Sequence, residues 1–240
     1  IAPDEGQEDE AAADGADFSA EDAREELERL RKDEQPAAAS AESGGMCKLP
    51  GQVPDLPEGL RITTEMKQLL SALLTSDKNR IGFCGMGGIG KTTISTWLVR
   101  EEGTRKQFEQ IAWVTLGQEP NLEKLQELMH MELTGQKFDG EPSPDEKLVL
   151  LKKAMAGKNL LLVLDDLWES AHEELLNFID DTTDSKVLVS SRVRGVLEGA
   201  EIVDVGLPTE DEAVQMLLSV AGLPLDVDAP PEAREVVKFC

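Results

Sequence analysis

The sequence is short of positive charge and of cysteine, and it has no long apolar run. Twenty-four Lys and Arg stand against 48 Asp and Glu, for a formal net charge of −24 at pH 7. That balance argues against nucleic acid as a general partner, because phosphate backbones demand cations. No stretch reaches the ~18 consecutive apolar residues of a membrane-spanning helix, and no signal peptide is visible. The three cysteines, Cys47, Cys84 and Cys240, are too few to build a disulfide framework. They read as reduced thiols in a reducing compartment, which gives a cytoplasmic expectation. The chain opens on Ile1 rather than methionine and is read as a fragment. Its 240 residues suffice for one full domain and part of another.

The acidity is uneven. Residues 1–46 hold fifteen Asp and Glu against four Lys and Arg. Residues 1–18 have little to bury and are expected to be disordered. Ser19 to Glu34 has Glu25–Arg29 and Glu28–Lys32 at i,i+4 and reads as a short solvated helix. A linker, "QPAAASAESGG", follows.

What the chain does have is "GMGGIGKTT", Gly85 to Thr93. Gly85, Gly90, Lys91 and Thr92 fit G-x-x-x-x-G-K-[ST], a loop whose backbone amides turn inward around phosphate oxygens. Gly85, Gly87, Gly88, Ile89, Gly90 and Thr93 are candidate cradle residues. Lys91 is expected to reach the outer phosphates, and the Thr92 hydroxyl to ligate magnesium. The context agrees: "RIGFC" before the loop reads as a buried strand, and "TTISTWLVREE" after it has helical spacing. A helix N-terminus there also favours an anion.

Further strands are expected at Ile111–Leu116, Leu160–Leu164, Lys186–Ser191 and Glu201–Val205. Helices are expected around 66–74, from Asn121 to Gly135, from the "EPSPDE" loop to near Gly157, in the 170s, and near 209–220 and 231–240. This alternation predicts an α/β fold, a three-layer parallel sheet with helices on both faces. The apolar strand "LLLVL" runs into Asp165 and Asp166. Carboxylates at the C-terminal end of such a strand sit where open α/β sheets bind ligands. Asp165 is the candidate magnesium partner, and Asp166 is placed to orient or deprotonate a water. Arg192 ends "KVLVSSR", and its planar, always-charged fork suits a terminal phosphate or a surface ion pair. His130 and His172 read as surface positions.

Four segments in this order, "GMGGIGKTT", "IAWVTLGQ", "LLLVLDDLW" and "KVLVSSR", resemble the NB-ARC domain of the STAND class of P-loop NTPases. These occur in plant disease-resistance proteins and animal apoptosis regulators. The resemblance covers about residues 80–195. It implies an ADP/ATP switch that is ADP-bound at rest and oligomerises after exchange, with slow or no hydrolysis. It also implies that Lys91 and Thr92 hold phosphate and magnesium, that Asp165 belongs to the metal site, and that Arg192 senses the γ-phosphate. "LPEGLRITTEM" lies where the family's adenine-side segment falls, which makes Arg61 a candidate there. Ser190-Ser191-Arg192 departs from the usual Thr-Thr-Arg but keeps a hydroxyl. "AGLPLD" imitates the family's Gly-Leu-Pro-Leu motif and is read as a decoy, because "PPEAREVVKFC" resembles the helix that precedes that motif. The expected layout is therefore 1–46 acidic segment, 47–206 nucleotide-binding domain and 207–240 start of a helical subdomain. Two other readings stay open. One is an ordinary ATPase or small-molecule kinase, which would need a basic lid and an acceptor site that the sequence does not show. The other is a non-catalytic interaction module with a vestigial site, against which the intact Lys91, Thr92 and Asp165 speak.

Overall fold

The computed structural model describes residues 46–223 and 230–238. The expected acidic segment up to residue 45 with its helix, the second half of the "AGLPLD" motif, and Cys240 lie outside the described residues.

Chain order runs α1 (Thr64–Thr75), β1 (Arg80–Cys84), α2 (Lys91–Arg100), α3 (Glu102–Gln107), β2 (Gln110–Thr115), α4 (Leu122–Thr134) and α5 (Pro144–Met155). Then come β3 (Leu160–Leu167), α6 (Ser170–Glu174), β4 (Lys186–Ser191), a 3-10 turn (Arg194–Leu197), β5 (Glu201–Asp204), α7 (Glu210–Val220) and α8 (Pro231–Lys238). The five strands form one sheet in the order β2-β3-β4-β1-β5, and every pairing is parallel.

The period-2 alternation of strand side chains sorts the apolar residues into two cores. Ile111, Trp113, Leu161, Val163, Leu188, Ile81 and Phe83 face α1 and α2, where they meet Leu69, Leu73 and Leu98. Ala112, Val114, Leu160, Leu162, Leu164, Val187 and Val189 face the other way, toward Met129 of α4 and Leu151 and Met155 of α5. This is why "LLLVL" is apolar without alternation: both faces of β3 are covered. Each such side chain contributes about 1.5–3 kcal/mol by leaving water. A third, smaller core joins Val214 and Leu218 of α7 to Ala233 of α8.

Local chemistry sets the helix ends. Asn121 caps α4 by accepting from Lys124 N, and Gly135 closes it with φ 73°. Ser143 and Glu146 form a capping box on α5, with Pro144 in its first turn. The helix expected in the 170s is only five residues long, and the short α3 and the 3-10 turn carry no periodic signal in the sequence. His130 and His172 are half-buried rather than exposed. The His130 ring stacks on Phe138 with centroids 4.0 Å apart.

Two features of the sheet build the site. All strands being parallel, every C-terminal end lies along one edge. And β4 lies between β1 and β3, so the residues that end β4 fall between the glycine-rich loop and Asp165.

Candidate functional site

Along that edge Gly88, Gly90, Lys91, Thr92, Thr115, Asp165, Asp166, Ser190 and Arg192 line a cavity of about 290 Å³. The loop between β1 and α2 forms one wall. Gly90 is the N-cap of α2 and sits at φ 94°, a left-handed conformation that side-chain-bearing residues rarely adopt. Gly87 has a different constraint: a Cβ there would come 2.9 Å from Arg192 Nη1. Ile89 packs its side chain back toward Gly85, so only its backbone is on offer to the cavity. Lys91 Nζ donates to the carbonyls of Gly85 at 2.9 Å and Met86 at 2.8 Å. Thr93 is half-buried in the first turn of α2 and lies outside the lining.

Asp165 is only 1 % exposed. Its Oδ2 accepts from Thr92 Oγ1 at 2.7 Å and its Oδ1 from Ser190 Oγ at 2.6 Å. Burial pushes the Asp165 carboxyl above the usual carboxylate range, and the two hydroxyl donors oppose that rise. Burial likewise lowers the Lys91 ammonium, and the nearby Arg192 charge lowers it further, against Asp166 and Asp165. Lys91 and Arg192 face one cavity with Asp165 and Asp166, at the N-terminus of a ten-residue helix whose backbone amides add further donors. Such a place favours an anion with several negative oxygens.

The strand β3 does not end before the acids; it continues through them to Leu167. Leu164 pairs with Val189 and Leu167 with Ser191, so β3 spends one residue more than β4 over this stretch. That is a β-bulge, a device that re-aims side chains beside sites. Asp166 sits in it at φ 58°, the one positive φ outside glycine among the described residues. Aspartate tolerates this region better than most residues. Its amide donates to Ser190 Oγ at 2.9 Å. Its carboxylate accepts from Arg192 Nε at 3.1 Å through Oδ1 and from Trp168 Nε1 at 3.1 Å through Oδ2. The Arg192 guanidinium also lies over the Trp168 ring, 5.3 Å from its centroid.

The structure thus brings Gly88, Gly90, Lys91, Thr92, Asp165, Asp166 and Arg192 together at one cavity. It does not bring Arg61 there. Arg61 is exposed, outside the lining, and its charge acts on Glu212 of α7. Nearby, Ser219 Oγ of α7 donates to Gly59 O at 3.0 Å. Three contributors went unread in the sequence. Ser190 holds both acids, Thr115 closes the rim from the end of β2, and Trp168 backs Arg192. Only the spatial order of the strands reveals them.

The donor set fits a magnesium nucleotide. Among the described residues no group of three or more His, Cys, Asp or Glu could cage a metal alone. Magnesium needs no such cage, since it is commonly held by one or two carboxylates together with phosphate oxygens and waters. Asp165 and the Thr92 hydroxyl are that kind of pair, and Lys91 and the loop amides would take the phosphates.

Comparison with known proteins agrees with the geometry. The chain is 28% identical over 178 residues to the putative disease resistance protein At3g14460 of Arabidopsis thaliana, covering 68% of this chain and 12% of that protein. It is 27% identical over 194 residues to the disease resistance protein RPM1 of the same plant, covering 72% of this chain and 21% of that protein. The chain thus spans a fifth or less of the length of most of these relatives. Among solved structures, Cdc6p from Pyrobaculum aerophilum shares the fold with a TM-score of 0.50 and 18% identity, over 72% of this chain and 52% of that one. The NB-ARC domain family matches residues 62–222, from the segment before α1 to the end of α7, and the chain belongs to that family.

Proposed function

We propose that this domain binds ADP and ATP with magnesium and acts as a molecular switch, with slow or no hydrolysis. The observation that carries the reading is the state of Asp166. It is the carboxylate placed to activate a water, yet both its oxygens are engaged, one by Arg192 and one by Trp168. A base so occupied is poorly suited to rapid proton abstraction. The same contacts hold Arg192 at the mouth of the phosphate cavity, where a third phosphate would arrive. A ligand shifts a conformational equilibrium only through differential affinity, and ATP differs from ADP only there.

In this reading Lys91, Thr92 and Asp165 bind both nucleotides, and Arg192 tells them apart. The helices α7 and α8, with their own small core, read as the start of a helical subdomain. Disease-resistance signalling, self-oligomerisation and a cytoplasmic setting are proposals for the whole protein. The last is in keeping with the free, buried Cys47, whose thiol burial pushes up.

The test is a titration of ADP and of a non-hydrolysable ATP analogue, with magnesium, into wild type and Arg192→Ala. Loss of one charge-assisted contact, about 1.5–3 kcal/mol, should weaken the analogue roughly 10- to 100-fold. ADP should bind within about twofold of wild type. Equal losses for both nucleotides would refute the sensing role. Turnover by the wild-type chain should fall well below the ~1–100 s⁻¹ of kinases. A rate in that range would favour the ordinary ATPase or kinase reading instead.

A further inference from the structure

Trp168 lies outside the cavity lining, yet it touches both Asp166 and Arg192. The cause lies in the sheet. Leu167 of β3 pairs with Ser191 of β4, so the next residues, Trp168 and Arg192, leave neighbouring strands side by side. The three side chains close a ring. Arg192 Nε bonds Asp166 Oδ1, Trp168 Nε1 bonds Asp166 Oδ2, and the guanidinium lies over the indole face. Arg192 is half-exposed, and a long side chain at such a position ordinarily samples many rotamers. Here one face is stacked and Nε is spent on Asp166. The Nη edge is left facing the loop, with Nη1 beside Gly87.

We propose that Trp168 is a positioning residue that pre-organises Arg192 toward the position of a terminal phosphate, and so sets the preference between triphosphate and diphosphate. This rests on the reading of Arg192 given above. The indole supplies a wall that an aliphatic residue lacks, because a guanidinium is attracted to an aromatic face. A pre-organised arginine loses less freedom on binding, so more of its contact energy appears as affinity. A diphosphate does not reach Arg192, so its binding is blind to the indole.

The experiment uses the 240-residue chain, magnesium, ADP and a β,γ-imido ATP analogue. Four variants are compared with wild type: Trp168→Leu, Trp168→Phe, Arg192→Ala and the double variant Trp168→Leu/Arg192→Ala. Trp168→Leu should weaken the analogue about two- to fivefold, the value of an exposed cation–π contact, and leave ADP unchanged. Trp168→Phe keeps a ring under the guanidinium and should recover most of that loss. In the double variant the Trp168→Leu step should add nothing, since the residue acts only through Arg192. Unchanged ADP binding shows that the variants fold. If Arg192→Ala alters the preference but Trp168→Leu does not, the positioning role is overturned and the sensing role stands. If Trp168→Leu weakens both nucleotides alike, the indole is merely structural and the inference falls. If Arg192→Ala itself leaves the preference intact, the sensing role fails and this inference fails with it.

Discussion

Asp165 carries its charge at a cost in stability. Burial raises its carboxyl pKa above the unfolded value, so the folded state prefers it protonated. Its contribution to stability is therefore greatest below the unfolded carboxylate pKa and is lost as pH rises through the raised one. At neutral pH the ionised group is a burden that the Thr92 and Ser190 hydroxyls only partly relieve. Asparagine is nearly isosteric, and both hydroxyls can rotate to serve its oxygen and its amide. Asp165→Asn should thus leave the nucleotide-free protein at least as stable at pH 7, with the advantage shrinking as pH falls through the carboxylate range. Magnesium-dependent nucleotide affinity should drop by about tenfold or more, because a charged ligand contact is gone. Thermal melts across pH, paired with titrations, check both halves. A variant that is markedly less stable at pH 7 would show that burial is not the dominant influence on this group.

At the scale of elements, the end of the sheet opposite the cavity has its own fastener. Arg80 opens β1 and forms a two-toothed ion pair with Glu173 of α6, at 2.8 and 2.7 Å. It also donates to Val196 O at 2.7 Å and Glu198 O at 3.0 Å, beside the 3-10 turn. Glu173 is 7 % exposed, so removing its partner strands a buried charge. Arg80→Met should cost about 3 kcal/mol of stability in denaturant melts. The ratio of ATP-analogue to ADP affinity should stay at the wild-type value, since the cavity lies at the other end of β1. A changed ratio would mean that the two ends of the sheet are coupled.

The elements also show what a sequence can carry. β1 and β4 are legible to the residue, because their centres, Ile81 to Phe83 and Val187 to Val189, are covered on both faces and carry no polar side chain, while polar residues mark their ends. Asn121, Gly135 and Ser143 mark helix ends through side-chain chemistry that acts locally. The glycine-rich loop with Lys91 and Thr92 stands out through its fixed spacing and Asp165 through the apolar strand before it, and the fold does bring Gly88, Gly90, Lys91, Thr92 and Asp165 to one cavity. The bulge at Asp166 was not legible, since an extra residue in β3 exists only relative to its pairing with β4. The Trp168–Arg192 stack stayed hidden for the same reason: residues 24 apart in sequence become neighbours only through strand order. Arg61, assigned by motif position to the adenine side, lies outside the lining of the cavity at the glycine-rich loop, and its charge acts on Glu212.

At the scale of the whole molecule, an anion must bind a chain of net charge −24. The general field repels nucleotide, but at physiological ionic strength it is screened over ~8 Å. Within that distance Lys91, Arg192 and the start of α2 decide the outcome. Magnesium helps by cancelling part of the phosphate charge before it meets the protein. Binding to the folded state alone adds stability by mass action, about 2.7 kcal/mol at a ligand concentration of 100 Kd. For a domain of this size each kcal/mol moves the melting temperature by ~2–4 °C. Magnesium ADP at that excess should therefore raise the midpoint by roughly 5–10 °C. Lys91→Ala should show about half of this rise or less at the same concentration, because a roughly 10- to 100-fold weaker ligand then stands at only ~1–10 times its Kd, about 0.4–1.4 kcal/mol. Adding sodium chloride without nucleotide should raise the wild-type and variant midpoints alike, by screening acidic self-repulsion. An ADP-induced rise of equal size in Lys91→Ala would mean that the nucleotide binds somewhere other than the glycine-rich loop.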